Sequence, residues 1–397
     1  MVRACPHCAG KLLFDINLQR LSCTMCGSTF DVNELDTSAS DAYLENDKVE
    51  KVEDTYDCYI YRCNQCGAEV KINGTESSTF CLYCGNPTIV FARMAKEKKP
   101  DFIAPFVVNK EQAVAAIRKK IGSGPLVPKE IKNFTIDSVK GIYIPYHLNY
   151  LTYMNSALLK SRVKSGKYHT DRYYLRSGFC EFDRILSDAS AKLSDESSQR
   201  LEPYIMNHIR DFDEDYLVGY YSDMADVNIA ETKNVALGRA KELFEEAMLE
   251  SIHGSSREFI KQCPTYYFNS DSKTVLLPAW FLTFRYANQP HTIMVNGQTG
   301  KVVGAVPWNK AKLASMIVSL SILISIIATI VAYLLIALMG DMDDSEGPFE
   351  MLAFMFLGGI SCFVAGINKY KKVKKSIERT TAATMFKYAN NRQEGQV

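Results

Sequence analysis

Residues 5–26 read CPHCAGKLLFDINLQRLSCTMC, and residues 63–84 read CNQCGAEVKINGTESSTFCLYC. Each stretch carries two Cys-x-x-Cys pairs at the same spacing, so the second stretch repeats the first. Each pair brings two sulfurs together, and two pairs supply the four thiolates that a tetrahedral Zn²⁺ requires. The sequence therefore predicts two small β zinc ribbons, ribbon 1 (residues 1–30) and ribbon 2 (residues 58–92). The predicted metal ligands are Cys5, Cys8, Cys23, Cys26, Cys63, Cys66, Cys81 and Cys84.

Four cysteines leave a zinc ion no open position for water or substrate, so we expect two structural Zn²⁺ ions. Two other uses of the thiols stay open. The stretch Cys5-Pro6-His7-Cys8 resembles the dithiol of thioredoxin-fold thiol oxidases, and four thiolates also bind iron–sulfur clusters. The sequence contains no His-Glu-x-x-His and no Gly-x-Ser-x-Gly, and its histidines are scattered. We therefore predict no catalytic residues and no enzyme.

The length and net charge of the chain limit the classes of function that it can have. A chain of 397 residues predicts several folding units, and 46 basic against 45 acidic residues give a net charge of +1. Such a balance provides no overall attraction to a polyanion such as DNA. No apolar signal segment occurs in the first ten residues, so we expect the cysteine-rich part to stay in the cytosol. Residues 31–57 carry many acids and only two lysines, which predicts an acidic linker.

Residues 100–308 alternate helical and strand patterns and predict a cytosolic α+β domain. Asn109 and Gln112 form a capping-box pattern before a helix, and residues 231–252 have helical spacing. Two strands are expected around the turn at Ser165-Gly166, and the last strands fall between Val275 and Val303.

Two uncharged runs follow, residues 313–339 and residues 351–367. Their lengths predict a C-terminal hairpin of two transmembrane helices joined by an acidic external loop, residues 340–350. Residues 368–397 form a basic tail. By the positive-inside rule, both termini are then cytosolic and the protein is a multi-pass protein of the cytoplasmic membrane. Anionic lipid is a further expected partner of the tail through Lys369, Lys371, Lys372, Lys374 and Lys375.

The paired Cys-x-x-Cys motifs resemble TFIIB-type zinc ribbons. Residues 277–304, which begin Leu-Pro-Ala-Trp and end Lys-Val-Val-Gly, and the stretch Ile142-Tyr143-Ile144-Pro145-Tyr146 are similar to bacterial membrane proteins that carry such ribbons. That resemblance implies a cytoplasmic-membrane protein with cytosolic ribbons that scaffolds other proteins at the bilayer.

The expected function is therefore that of a membrane-anchored adaptor or scaffold, which recruits protein partners and does no catalysis. A membrane-tethered nucleic-acid-binding protein is the alternative, because ribbons serve the transcription machinery. Local positive charge is supplied by Arg3, Lys11, Arg20, Arg62 and Lys71. A zinc or redox sensor with labile ribbons is a further hypothesis.

Overall fold

A computed structural model describes residues 4–32, 34, 55–72, 81–85, 89–122, 127–132, 134–166, 168–193, 195–286 and 289–304, with isolated positions between 309 and 331. Its strands are β1 (Leu12–Asp15), β2 (Arg20–Cys23), β3 (Thr29–Phe30), β4 (Thr55–Cys63), β5 (Glu69–Ile72), β6 (Ile89–Lys98), β7 (Phe102–Ile103), β8 (Val139–Ser165), β9 (Tyr168–Asp188), β10 (Arg210–Asp211), β11 (Tyr221–Ser222), β12 (Ser255–Phe268), β13 (Lys273–Tyr286), β14 (Gln289–Asn296) and β15 (Val302–Val303). Its α-helices are α1 (Lys110–Gly122), α2 (Lys129–Lys132), α3 (Asp195–Leu201) and α4 (Ile229–Glu250).

Ribbon 1 forms a sheet of its own. Its strands pair in the order β1-β2-β3, all antiparallel, with Leu12 opposite Cys23. The inward-facing side chains of β1 and β2 alternate with half-exposed ones, as a strand period of two requires. Leu12, Phe14 and Leu21 are buried and join a core shared with the rest of the molecule.

The other twelve strands form one large sheet, the main sheet, in which β8 is the central strand. The first half of β8 pairs with β13 on one side and with β11 on the other. Ribbon 2 belongs to this sheet, because β5 pairs with β11 at Ile72 and Tyr221 and β4 lies between β5 and β6. The core under ribbon 2 is therefore continuous with the core of the main sheet.

The second half of β8, from Leu151 to Ser165, runs between β9 and β12. We call this half of β8, together with the residues of β9 and β12 that pair with it, the arm. Helix α4 covers one face of the arm. It begins at Asn228, whose side chain accepts a hydrogen bond from the N–H of Ala230, and it buries Ala236 and Ala240. Alanines let the helix approach the sheet closely.

The predicted α+β class of residues 100–308 is wrong, because most of the described secondary structure is strand. The helical patterns were real: Asn109 and Gln112 exchange both capping-box hydrogen bonds at 2.9 Å before α1. However, α1 and α4 lie on one large sheet, which also includes β6 and β12. β12 contains Pro264, which an edge strand tolerates.

The predicted two-helix transmembrane hairpin is also corrected. Among the residues that the structure describes, no helix is long and apolar enough to cross a membrane. An uncharged run meets the length rule by composition alone, and composition does not determine where a helix is continuous. This finding removes the basis for the predicted multi-pass location in the cytoplasmic membrane with both termini cytosolic.

Most of residues 313–339 lie outside the described residues, as do all of residues 340–350, 351–367 and 368–397. The lysines that were expected to bind anionic lipid, from Lys369 to Lys375, are among them.

Candidate metal centres

In ribbon 1, two turns at the ends of β1 and β2 bring four sulfurs together. Cys5 and Cys8 lie in the turn before β1, Cys23 ends β2 and Cys26 follows in the next turn. The Sγ atoms of Cys5 and Cys26 are 3.6 Å apart, and those of Cys8 and Cys23 are 3.4 Å apart. All four sulfurs lie within 4.8 Å of one another.

Ribbon 2 repeats this arrangement inside the main sheet. Cys63 ends β4, Cys66 lies in the turn before β5, and Cys81 and Cys84 belong to a second turn. Both cross-turn distances between Sγ atoms, Cys63 to Cys84 and Cys66 to Cys81, are 3.6 Å. These four sulfurs also lie within 4.8 Å of one another. The structure thus brings together, in two groups of four, the eight cysteines that the sequence singled out.

These distances exclude disulfides and fit a bound metal ion. A disulfide would place the two sulfurs about 2.05 Å apart. A tetrahedral ion with sulfur at about 2.3 Å separates its ligand sulfurs by about 3.8 Å, close to the separations in both clusters. Four thiolates at this spacing repel one another, so they can all ionise only around a cation. The two groups could therefore each hold a metal ion.

The four turns share one backbone geometry. The residue four positions after the first cysteine donates its N–H to that cysteine's carbonyl, at 2.8 to 3.0 Å. This residue has a positive φ in every turn, 56° at Ala9, 73° at Gly27, 71° at Gly67 and 68° at Gly85. Only glycine adopts this conformation without steric cost, so Ala9 is the strained member of the set.

Some residues that shape ribbon 1 were not singled out from the sequence. A side chain at Gly10 would place its Cβ 3.0 Å from Sγ of Cys23, so a larger residue there would have to displace a sulfur of the cluster. Sγ of Cys26 lies 3.2 Å from Oγ of Ser28, which in turn lies 3.0 Å from Nδ1 of His7. The position of Ser28, two residues after a cysteine pair, was the available signal, because such residues can point a donor at the sulfur.

In ribbon 1, hydrogen bonds stabilise the thiolate form of Cys26 and of Cys23. Those from the side chain and backbone of Ser28 lower the pKa of the Cys26 thiol to about 6. Backbone N–H groups of Cys26 and Met25 lower the pKa of Cys23, and the N–H of Met25 lies 3.5 Å from the Cys23 sulfur. Thiolates are the form that binds metal.

The two clusters differ in their access to solvent. Cys8 and Cys26 of ribbon 1 are exposed, whereas in ribbon 2 only Cys66 is partly exposed and the other three cysteines are buried. Cys58, near Cys63 on β4, is also buried, and burial raises the pKa of its thiol to about 11. A buried protonated thiol of this kind is inert.

Ribbon 1 contacts the rest of the molecule through one side of its sheet. The ring of Phe14 on β1 meets that of Tyr216 edge-on, with centroids 5.0 Å apart. Nε2 of Gln19 donates to the carbonyl of Phe106 at 2.8 Å, and Nδ2 of Asn109 donates to Oδ1 of Asn17 at 3.1 Å. Ribbon 1 therefore shares a buried core with the main sheet, although no strand of ribbon 1 pairs with the described strands of that sheet.

Ribbon 2 is held more extensively. The ring of Tyr83, between Cys81 and Cys84, meets Phe281 on β13 edge-on at 6.3 Å. Burial raises the pKa of Tyr83, and the neighbouring Asp223 raises it further. Asp223 itself forms a buried ion pair with Lys192, with Nζ to Oδ1 at 2.6 Å. The second turn of ribbon 2 therefore rests on a buried polar cluster in the centre of the molecule.

One open cleft of about 510 Å³ lies near the base of the arm. Its charged lining residues are Arg184, Arg210, Asp211 and Asp213. No histidine, cysteine or serine is among its described lining residues. Buried His147 lies elsewhere, with Nδ1 2.9 Å from Oγ1 of Thr232, and acts as a packed polar side chain. Neither place brings a nucleophile to a base.

Comparisons with known proteins show one similar protein, whose name gives no activity. No family model matches the chain, and no solved structure matches it. The chain is similar to the uncharacterized protein YdjG of Bacillus subtilis (strain 168), with 28% identity over 324 residues that cover 78% of this chain and 91% of that protein. The likeness therefore extends over most of both chains.

Proposed function

We propose that this protein is a non-catalytic adaptor or scaffold that binds protein partners, with two structural Zn²⁺ ions in ribbons of the TFIIB type. The observation that carries the proposal is the exposed apolar surface on the arm, combined with two clusters in which cysteine fills every ligand position. A closed Cys₄ site has no room for a substrate, so its contribution is to stabilise the fold.

Zinc is the ion that fits the donor set best. Soft thiolates select zinc or iron–sulfur clusters over magnesium and calcium, and the sulfur separations match a single tetrahedral ion. Zinc brings no redox chemistry of its own, so it suits a site with a structural role. The eight cysteines of the two clusters are its proposed ligands.

The partner-binding surface that we propose is the face of the arm opposite α4, which we call the open face. Oγ of Ser156 and Oγ of Ser177 lie 2.8 Å apart on this face, and Lys160 pairs with Asp171 at 3.0 Å. Three aromatic side chains lie between and beside these polar groups and expose more than half of their surface: Tyr173 (60%), Phe179 (67%) and Tyr267 (52%). Exposed aromatic side chains in one patch, rimmed by charge, are typical of protein interfaces.

The experiment is affinity purification of the full chain and of the double variant Phe179→Ser, Tyr267→Ser. The matched control is Leu243→Ser, Ile136→Ser, which removes two apolar side chains of similar exposure away from the open face. We expect partners that co-purify with the native chain and with the control to be lost with the open-face variant. Partners retained equally by all three proteins, or no partner above background, would overturn the proposal.

A sensor function is the second candidate, favoured by the different exposure of the two clusters. Oxidants reach exposed thiolates first, and Cys8 and Cys26 of ribbon 1 are exposed. Mild hydrogen peroxide is expected to release one zinc ion before the other and to change partner binding in the same step. Release of both ions together, with binding unchanged, would argue against it.

The nucleic-acid alternative is weakened by the surroundings of the basic residues that suggested it. Arg20 lies 3.6 Å from Asp31 and 3.5 Å from Glu34. Lys71 is buried and lies 3.5 Å from Glu97. Positive charge that is already neutralised contributes little to phosphate binding.

A further inference from the structure

The arm has two edges, and they differ in their ability to accept another strand. Among the described strands, β9 and β12 each pair with β8 alone. A strand with one unpaired edge presents a row of backbone N–H and C=O groups that can pair with another chain. Proteins usually interrupt such edges with proline, bulges or inward charges.

The β12 edge is interrupted in this way. Pro264 removes one backbone donor, and the register with β8 shifts twice, between Ser255 and Glu258 and between Phe259 and Lys261. Between Tyr168 and Phe182 the β9 edge contains neither a proline nor a register shift. From Tyr168 to Phe182 it pairs with β8 in unbroken register, which at about 3.4 Å per residue gives a regular edge of about 50 Å.

We propose that β9 pairs antiparallel with β9 of a second copy of this chain, about a two-fold axis at Leu175. Leu175 exposes 76% of its surface. The two-fold axis places it beside Leu175 of the partner subunit, so an apolar contact lies at the centre of the pairing. The backbone groups of the two edges supply the rest of the contact.

Charges disfavour the two registers next to this one. In an antiparallel pair, opposite residues share one face, so the axis at Leu175 places His169 opposite Glu181 of the partner subunit, with no like charges opposed. If the axis lay at Tyr174, Arg172 would lie opposite Arg176 of the partner subunit. If the axis lay at Arg176, Asp171 would lie opposite Glu181 of the partner subunit. Both changes place like charges directly opposite each other, which is destabilising.

This inference goes beyond the proposed function, because it requires no second kind of protein. It joins two arms into one six-stranded sheet and leaves both open faces on the same side for partners. The two proposals fail separately, since self-association is measured on the purified chain alone and partner binding is measured by affinity purification.

The test is the mass of the purified full chain in solution, measured by light scattering during size-exclusion chromatography. We expect twice the mass of the chain. Leu175→Lys and Leu175→Glu each place like charges across the two-fold axis, so each is expected to weaken association about tenfold and elute as a monomer at the same loading. Mixing the two variants opposes lysine with glutamate and is expected to restore the doubled mass.

Thr265→Lys on β12 is the matched control, because it adds the same charge to the other edge of the arm. It is expected to remain a dimer, and far-UV circular dichroism of all variants should equal that of the native chain. A native chain that is monomeric at every concentration overturns the inference. So does a dimer unaffected by either Leu175 substitution, or a mixture that stays monomeric.

Discussion

The hydroxyl of Thr283 on β13 donates a hydrogen bond to the carbonyl of Leu82, which lies between two cysteines of ribbon 2. β13 is paired with β8 along ten residue pairs, from Lys273 to Leu282. The second turn of ribbon 2 is therefore anchored on the centre of the main sheet, whereas ribbon 1 forms a separate sheet beside it. The two metal sites should differ in what their loss does to the fold.

Cys63→Ser is expected to destabilise the whole molecule, and Cys5→Ser only ribbon 1. Metal binding is coupled to folding, so removing a ligand removes the order that the ion supports. In ribbon 2, the structure that depends on the ion includes strands β4 and β5 and the hydrogen bond from Thr283 to Leu82. Near-UV circular dichroism during thermal unfolding measures the difference. An equal loss of tertiary signal in both variants would contradict this assignment.

The positive φ of the turn residues predicts two opposite effects in ribbon 1. Gly27→Ala should cost about 1 kcal/mol, because a Cβ there meets no atom within 4 Å and only backbone strain changes. Ala9→Gly should gain a similar amount, because it relieves the strain at φ 56°.

Competition with a chelator measures these effects as zinc affinity, and 1 kcal/mol corresponds to about fivefold. The cross-check is Gly122→Ala at the end of α1, where a Cβ also meets no atom within 4 Å. That variant should leave zinc affinity unchanged. Tighter binding by Gly27→Ala would refute the strain argument.

The buried ion pair of Lys192 and Asp223 predicts a non-additive pair of substitutions. Lys192→Met leaves the carboxylate of Asp223 buried without its cation and should lower the free energy of unfolding by about 3–5 kcal/mol. Adding Asp223→Asn removes that charge and keeps the acceptor for Oγ of Ser190.

The double variant should therefore recover most of the loss in urea unfolding. A double variant as unstable as the sum of its parts would show that the pair contributes by packing alone.

The burial of His147 predicts a pH dependence. Desolvation lowers the pKa of His147 below its usual 6.5. As the pH falls below about 6.5, the unfolded chain takes up a proton that the folded chain does not bind. His147 thus contributes stability above that pH, which is lost on acidification toward its folded pKa.

His147→Asn keeps a polar atom near Thr232 and removes the titration, so its free energy of unfolding should fall less between pH 7 and pH 5 than that of the native chain. The control is His208→Asn, which removes an exposed histidine and leaves the contact between His147 and Thr232 intact. Identical slopes for all three proteins would contradict the prediction.

The sequence predicted what depends on local geometry. The Cys-x-x-Cys spacing determines which sulfurs meet within a turn, and it identified both clusters. Ser165-Gly166 marked the turn between β8 and β9, where Gly166 has φ 64°. The pattern at Asn109 and Gln112 marked the start of α1, because a capping box involves only four neighbouring residues.

What depends on distant pairing was not predicted. Ribbon 2 enters the main sheet through Tyr221 opposite Ile72, and Lys192 meets Asp223 only after β9 and β11 have paired with β8. The transmembrane prediction rested on composition alone, and no helix among the described residues is long and apolar enough to cross a membrane.

Elemental analysis combined with native mass spectrometry of the purified chain measures whether each Cys₄ cluster holds one zinc ion. We expect two zinc ions per native chain and one in each of Cys5→Ser and Cys63→Ser. A chain without zinc, or one with iron and sulfide in its place, would contradict this expectation.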